Sequence, residues 1–145
     1  MTVSTTSTKV TLSGNGSTHS FAFNFKIFAD ADLKVIIRSS AGAETTKTLG
    51  THYIITGTGA DSGGNVLFKF NTGTSSDAHY STSDYRPASG ESVIIKRLLT
   101  LTQSTDYVEN DTFSSTDHEN ALDRLTMATQ QLQEQMDRKV GVSET

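Results

Sequence analysis

The spacing of the apolar side chains changes once along this sequence, and that change constrains the fold more than any other feature. In the segment HSFAFNFKIF, apolar residues alternate with small or polar ones. Alternate side chains of a strand point to the same side, so four of them share one face: Phe21, Phe23, Phe25 and Ile27. After about Leu99 the alternation ends, and from Ser115 apolar residues recur every three or four positions. The pattern predicts an all-β unit followed by one α-helix.

Seven segments have strand character and are separated by turns rich in Gly and Ser. They are KVTL, HSFAFNFKIF, LKVIIRS, ETTKTL, HYIITG, NVLFKF and SVIIKRLL. About seven short strands with this spacing indicate an antiparallel β-sandwich or barrel, and we predict a β-sandwich over residues 1–108. Two further apolar sets are expected to face the same core as the Phe row: Leu33, Val35 and Ile37, and Val66, Phe68 and Phe70.

The segment at residues 71–90, NTGTSSDAHYSTSDYRPASG, is too long for a hairpin turn. Loops beyond about 12–15 residues are usually functional or disordered. Tyr80 and Tyr85 could make contacts with a partner, but the sequence favours a mobile insertion.

A linker at residues 109–114 is predicted to precede a helix over residues 115–140, a stretch without Gly or Pro. Thr116 and Glu119 have the spacing of a capping box, and Gly141 stands where a C-terminal cap is expected. Five residues of this helix follow the three-four spacing of a heptad seam: Leu122, Leu125, Thr129, Leu132 and Met136.

This seam has two interpretations. A stripe of this kind often packs on its own domain, and Met127, outside the seam, is expected to touch the sandwich. However, the stripe is narrower than the face that a globular helix normally buries, and its flanking positions carry Ala and Gln. These features favour contact between copies of the chain. Fewer than three heptads are present, so the pattern alone does not specify how many copies assemble.

Composition and motif spacing argue against several function classes. The net charge of −4 disfavours nucleic-acid binding, and the absence of Cys excludes disulfides and thiolate metal sites. No segment resembles a secretory signal or a membrane span. The histidines have no metal-ligand spacing, TGTGADSGG does not match a phosphate-binding loop, and G-x-S-x-G is absent. We therefore expect no catalytic site, cofactor or metal. The histidines are His19, His52, His79 and His118.

The order of segments resembles the N-terminal, virion-anchoring domain of podophage tail fibres and tailspikes. The matching segments are GNGSTHSFAFNFKIF, DLKVII, TLGTHYIITGTG, GGNVLFKF, SGESVIIKR, LTQSTDYVENDTF and HENALDRLTMATQQLQEQMDR. TQSTDY, ALDRLTM and QQLQEQMDR are the most specific of these. His52 departs from the pattern, where an acidic residue is expected, and the insertion around residues 72–87 exceeds the usual short link.

The resemblance implies a homotrimer in the virion, assembled in the bacterial cytoplasm, that docks between the tail adaptor and the nozzle protein. It also implies a β-sandwich with a trimerising C-terminal helix, whose contacts would be the seam. The sequence given stops at Thr145. Either the chain is a short anchor that transfers mechanical load to a second receptor-binding protein, or the natural chain continues beyond this residue. Four residues are weak candidates for the tail contact and could equally brace the sandwich against the helix: Gln103, Thr105, Asp106 and Tyr107.

Two other function classes remain as alternatives at this stage. A carbohydrate-binding or adhesin domain of a phage fibre would use Tyr80 and Tyr85, because exposed aromatic rings can stack on sugars. An enzyme such as a polysaccharide depolymerase ranks third, because no pair of carboxylates can be nominated.

Overall fold

The structure is a computed structural model that describes residues 3, 5–103, 105–109 and 112–139. Within these residues the chain forms seven strands, a short 3₁₀ turn at Asp30–Asp32 and one C-terminal helix. The strands are β1 (Lys9–Ser13), β2 (Ser20–Phe23), β3 (Leu33–Arg38), β4 (Glu44–Thr46), β5 (Tyr53–Thr56), β6 (Gly64–Phe68) and β7 (Ser92–Arg97), and the helix is α1 (Ser115–Lys139).

The strands form two antiparallel sheets, as the alternating sequence predicts. One sheet has the order β1-β7-β3-β4 and the other has the order β2-β6-β5. Ile95 of β7 pairs with Val10 on one side and with Val35 on the other, so β7 is an internal strand of its sheet. In the second sheet Phe21 pairs with Val66. The predicted β-sandwich followed by a helix is confirmed.

The core lies between the two sheets and contains the predicted Phe row. Phe25 and Ile27 are fully buried although β2 ends at Phe23. The prediction for Phe70 is wrong: β6 ends at Phe68, and Phe70 is half-buried outside the core, with its ring 5.0 Å from that of His19. The buried core residues are Phe21, Phe23, Phe25, Ile27, Leu33, Val35, Ile37, Tyr53, Val66, Phe68, Val93 and Ile95.

The long segment at residues 71–90 is hydrogen-bonded to the sandwich rather than detached from it. The N–H of Ser81 donates to the carbonyl of Phe70 at 3.0 Å, and the N–H of Tyr85 donates to the carbonyl of Lys69 at 2.9 Å. The ring of Tyr85 packs edge-on against His52 at 4.7 Å and against the core. The segment is therefore a packed loop, and its interpretation as a mobile insertion is wrong.

Helix α1 begins one residue after a serine cap. The hydroxyl of Ser114 accepts a hydrogen bond from the N–H of Asp117 at 3.2 Å, which satisfies one of the unpaired donors of the first turn. The prediction of Thr116 as the cap is therefore wrong, because Thr116 lies inside the first turn. The predicted cap at Gly141 and the last predicted helical residue, Val140, lie outside the described residues.

Candidate functional site

The helix packs on its own sandwich through the face opposite the seam. With Leu122 as heptad position a, Asp123, Met127 and Gln131 occupy positions b, f and c, and all three are buried. Met127 is fully buried, as the sequence predicts for a residue outside the seam. The helix residues that are buried on the sandwich therefore occupy positions b, c and f, and none of them is at position a or d.

A buried ion-pair cluster fixes this face of the helix to the sandwich. The ammonium of Lys26, in the segment after β2, lies 3.3 Å from the carboxylate of Asp123 and 3.0 Å from that of Asp61. The guanidinium of Arg97, at the end of β7, donates to the carbonyl of Lys26 and to the side-chain oxygen of Gln130 at 3.2 and 2.6 Å. Side chains that are distant in sequence thus set the orientation of α1.

The charges in this cluster are stabilised mainly by each other. Burial by itself would lower the pKa of Lys26, but the neighbouring carboxylates of Asp61 and Asp123 outweigh it and raise the pKa above its ordinary value of 10.5. Burial lowers the pKa of the Arg97 guanidinium, an effect that the charge of Asp32 opposes. Both groups remain cationic near neutral pH.

A second set of contacts holds the residues after β7 against the helix. We call residues 98–103 and 105–109 the connecting segment. The side-chain amide of Gln131 accepts from the N–H of Leu99 at 2.6 Å and donates to its carbonyl at 3.2 Å. The guanidinium of Arg124 donates to the carbonyl of Thr100 at 3.1 Å. The connecting segment therefore runs alongside the helix.

The five seam residues lie together on the outer face of the helix. Leu122, Leu125, Leu132 and Met136 are 52, 66, 48 and 59% exposed, and Thr129 is also exposed. Surface residues of this size are common singly, but a continuous apolar row is typical of an interaction surface. The row is what the sequence predicts for a helix that contacts another chain.

A groove of about 470 Å³ lies between the connecting segment and the outer face of the helix. Leu99, Leu101 and Tyr107 form one wall, and Leu122 and Leu125 form part of the other. Of the four weak candidates for the tail contact, three line this groove: Gln103, Thr105 and Tyr107. Asp106 instead lines a neighbouring polar depression with Phe113, Ser114 and Asp117. The structure thus brings three of the five seam residues and three of the four predicted tail-contact residues into one groove.

An exposed aromatic cluster lies beside this groove, and two of its members, Tyr107 and His118, line it. The ring of Phe113 lies 6.4 Å from that of Tyr107 and 5.4 Å from that of His118. The hydroxyl of Tyr107 and Nδ1 of His118 are 3.2 Å apart, within hydrogen-bond distance. Leu101, Val108 and Phe113 belong to the site although no periodicity marks them. The sequence feature that could have identified them is that they are large apolar residues in a segment without regular secondary structure.

Two histidines that are far apart in sequence meet beside Phe70. The rings of His19 and His79 stack at 5.5 Å and both contact the Phe70 ring, and the guanidinium of Arg86 lies over that ring at 4.9 Å from its centroid. Among the described residues, no group of three or more His, Asp or Glu side chains is placed to hold a metal ion. No described helix combines the length and hydrophobicity needed to cross a membrane.

Comparison with known proteins gives one informative similarity. The sequence is 36% identical over 132 residues to the tail spike protein of Salmonella phage epsilon15. The match covers 91% of this chain and 11% of that protein. No protein-family model matches the sequence. The chain therefore spans a small part of the length of the relative that it matches.

Proposed function

We propose that this chain, which is similar over most of its length to part of a tail spike protein, is a trimeric, non-enzymatic anchor that attaches a tail spike or tail fibre to the phage tail. The similarity supports a structural protein of the phage tail and a component of the virion. Trimerisation, the anchoring role and the docking partners are our proposal. The proposed partners are the tail adaptor and nozzle proteins. If the chain is a short anchor, a second receptor-binding protein is a further partner.

The observation that carries this proposal is that the two faces of α1 differ: one packs on the sandwich and the other is exposed. Positions b, c and f hold the helix on its sandwich through Asp123, Met127 and Gln131. The seam at positions a and d remains exposed in the isolated chain. A helix arranged in this way can bind other copies through its seam while its opposite face stays packed on its own sandwich. Three sandwiches on one stem would then bind the tail together.

The carbohydrate-binding alternative loses its support from the sequence. Tyr80 and Tyr85 are both half-buried, and Tyr85 packs on His52 and the core. Tyr85 is therefore held in the fold by its own contacts, and only part of Tyr80 is exposed. We therefore treat glycan binding as an outcome of the test below rather than as a second proposal.

Binding to purified tails tests the anchor directly. The chain should bind fibreless tails, or an isolated adaptor–nozzle assembly, and should not bind host cells. Cosedimentation with tails and flow cytometry with labelled protein measure the two outcomes. Binding to host cells without binding to tails would contradict the anchor and favour an adhesin. A titration with salt would show whether exposed charge pairs contribute to the docking surface.

The non-enzymatic part of the proposal has a separate test. Incubation with host capsular polysaccharide or lipopolysaccharide should release no reducing ends. A reducing-sugar assay measures this, with an active depolymerase as the positive control. Reproducible cleavage that one Asp or Glu substitution abolishes would refute this part and leave the docking result intact.

A further inference from the structure

One outer face of the sandwich carries a row of three lysines. Lys96 of β7 lies directly opposite Lys9 of β1 on one side and directly opposite Lys34 of β3 on the other. Their chain neighbours Ile95 and Val35 are buried in the core, so the three lysine side chains share the outer face of the sheet. Side chains that are directly opposite in a sheet have their Cβ atoms about 4.5–5.5 Å apart. We call these three residues the lysine row.

The positive charge of the lysine row is not balanced by the residues around it. The strands β1, β3 and β7 contain no Asp or Glu. Among the described residues, none of the three lysines forms an ion pair. At the other end of the same face Arg38 lies opposite Glu44, so the opposed like charges are confined to the lysine row.

The C-terminal end of α1 adds a fourth cation to this surface. Burial lowers the pKa of Lys96 below its ordinary value of 10.5, and the charges of Arg138, Lys34 and Lys9 lower it further. The charge of Glu134 opposes this effect, but its carboxylate is already paired with Arg138 at 2.7 Å. The lysine row and Arg138 therefore form one positively charged surface in a chain whose net charge is −4.

Neither of the usual structural roles of a surface lysine explains the row. Like charges directly opposite each other destabilise a sheet, so the row does not stabilise the fold. Lysines on edge strands prevent pairing with another chain, but in the order β1-β7-β3-β4 two of the three lysines lie on internal strands. Local arrangements that cost stability are typical of functional sites. The row is therefore better explained by a partner than by the fold.

Two isoleucines stand next to the lysine row on the same outer face. Ile36 of β3 lies directly opposite Ile94 of β7, and both are only half-buried. A protein interface combines apolar residues at its centre with polar residues at its rim, and this face offers both. A nucleic acid would be bound mainly through its phosphates, and the net charge of −4 disfavours that partner. The chemistry of this face fits a protein.

We propose that this face docks on a protein surface of the phage tail that presents Asp and Glu carboxylates to the lysine row. The inference rests on the proposed anchor and adds the chemistry of its docking contact. Carboxylates placed against the row would offset the repulsion among the lysines, so the charges that destabilise the free sheet become favourable in the complex. None of the four weak candidates of the connecting segment belongs to this surface.

Charge reversal tests the docking contact. Lys9→Glu places a carboxylate in the row, and Lys69→Glu makes the same change in charge directly after β6, in the other sheet. We expect Lys9→Glu to weaken binding to fibreless tails about tenfold or more at low salt, because it sets like charges against each other across the contact. Lys69→Glu should bind as the wild type does. Cosedimentation at increasing salt measures both, and screening should reduce the effect of Lys9→Glu.

Lys96→Met separates a docking role from a structural one. The substitution keeps an unbranched apolar stem and removes the central charge of the row. Tail binding should weaken, whereas the urea midpoint of the free chain, at a fixed chain concentration, should rise because the repulsion with Lys9 and Lys34 is lost. A lower midpoint with unchanged binding would assign Lys96 to the fold and overturn the inference.

Zero-length crosslinking identifies the chemistry of the partner. A carbodiimide joins an amine directly to a carboxylate, so the treated complex should yield peptides that link Lys9 or Lys34 to an Asp or Glu of a tail protein. Purified host lipopolysaccharide is the competing probe, because its phosphates could also bind lysines. Binding to lipopolysaccharide that Lys9→Glu abolishes, without any effect of this substitution on tail binding, would overturn the inference.

The outcomes separate this inference from the proposed function. Tail binding that is the same for the wild type and Lys9→Glu would overturn the inference and preserve the anchor. Equal weakening by Lys69→Glu would attribute binding to net charge and would also overturn the inference alone. A wild-type chain that binds no tails would overturn both. Weakening by Lys9→Glu and Lys96→Met, with lysine–carboxylate crosslinks to a tail protein, would support the docking face.

Discussion

Leu132→Asp should convert the proposed trimer into monomers and leave the sandwich folded. In the isolated chain Leu132 is 48% exposed and is not part of the core cluster, so a carboxylate there is hydrated. In the trimer the same carboxylate would be enclosed by the seams of two other copies. Burying each Leu contributes about 1.5–3 kcal/mol, and the substitution removes three of them while burying charge. The effect on assembly is therefore large and the effect on the fold is small.

Light scattering measures the first effect and circular dichroism the second. The chain mass is 15.6 kDa, so the wild type should scatter as a particle of about three times that mass and the variant as a single chain. Leu49→Asp, which adds the same charge on the sandwich, is the matched control and should remain trimeric. A monomeric wild type with an intact helix at high micromolar concentration would remove the trimer from the proposal.

The same variant should lose most of its affinity for the tail although no docking residue changes. In a trimer the second and third contacts form within an already bound particle, and this avidity can strengthen binding by about 10²–10⁴-fold. Leu132→Asp should therefore weaken binding to fibreless tails by about two powers of ten or more. Equal binding by the monomer and the trimer would show that a single sandwich carries the whole affinity.

The fold was largely predictable because its strands obey local rules. Alternation identified all seven strands and placed Phe21, Val35 and Val66 in the core. The exception, Phe70, follows from tertiary geometry: β6 leaves the sheet after Phe68, and no feature of NVLFKF marks that point. Ser114 and Thr116 are both suitable caps, and the structure selects the first.

The site was only partly predictable because its decisive contacts are long-range. The heptad spacing gave the five seam residues but could not tell whether they face the sandwich. That outcome depends on Asp123 and Gln130, whose partners Lys26 and Arg97 lie far away in the sequence. In HSFAFNFKIF, Lys26 shares the face opposite the Phe row with Ala22 and Asn24. Those two residues are exposed, whereas Lys26 is buried because the helix covers that end of the sheet.

Lys26→Met should lower the free energy of unfolding by about 3–5 kcal/mol, the usual effect of removing one partner from a buried ion pair. Asp123 is 4% exposed, and without the ammonium its carboxylate would stay desolvated next to Asp61. Arg138→Met is the matched control, at an ion pair within α1. It removes a partly exposed pair with Glu134 and should cost about 0.3–0.5 kcal/mol. Denaturant unfolding of the monomeric Leu132→Asp background measures both without interference from assembly.

The pH dependence of the difference in unfolding free energy between the parent and Lys26→Met shows whether the charge of Lys26 causes that difference. The folded pKa of Lys26 is raised above 10.5, so the stability that its charge contributes is complete below the unfolded pKa and is lost as pH rises through the folded one. The gap between the parent and Lys26→Met should therefore be constant near neutral pH and shrink above about pH 10.5. A gap that persists unchanged in strong alkali would mean that Lys26 acts through the packing of its stem. In that case the orientation of the helix, and with it the outward direction of the seam, would depend on shape instead of charge.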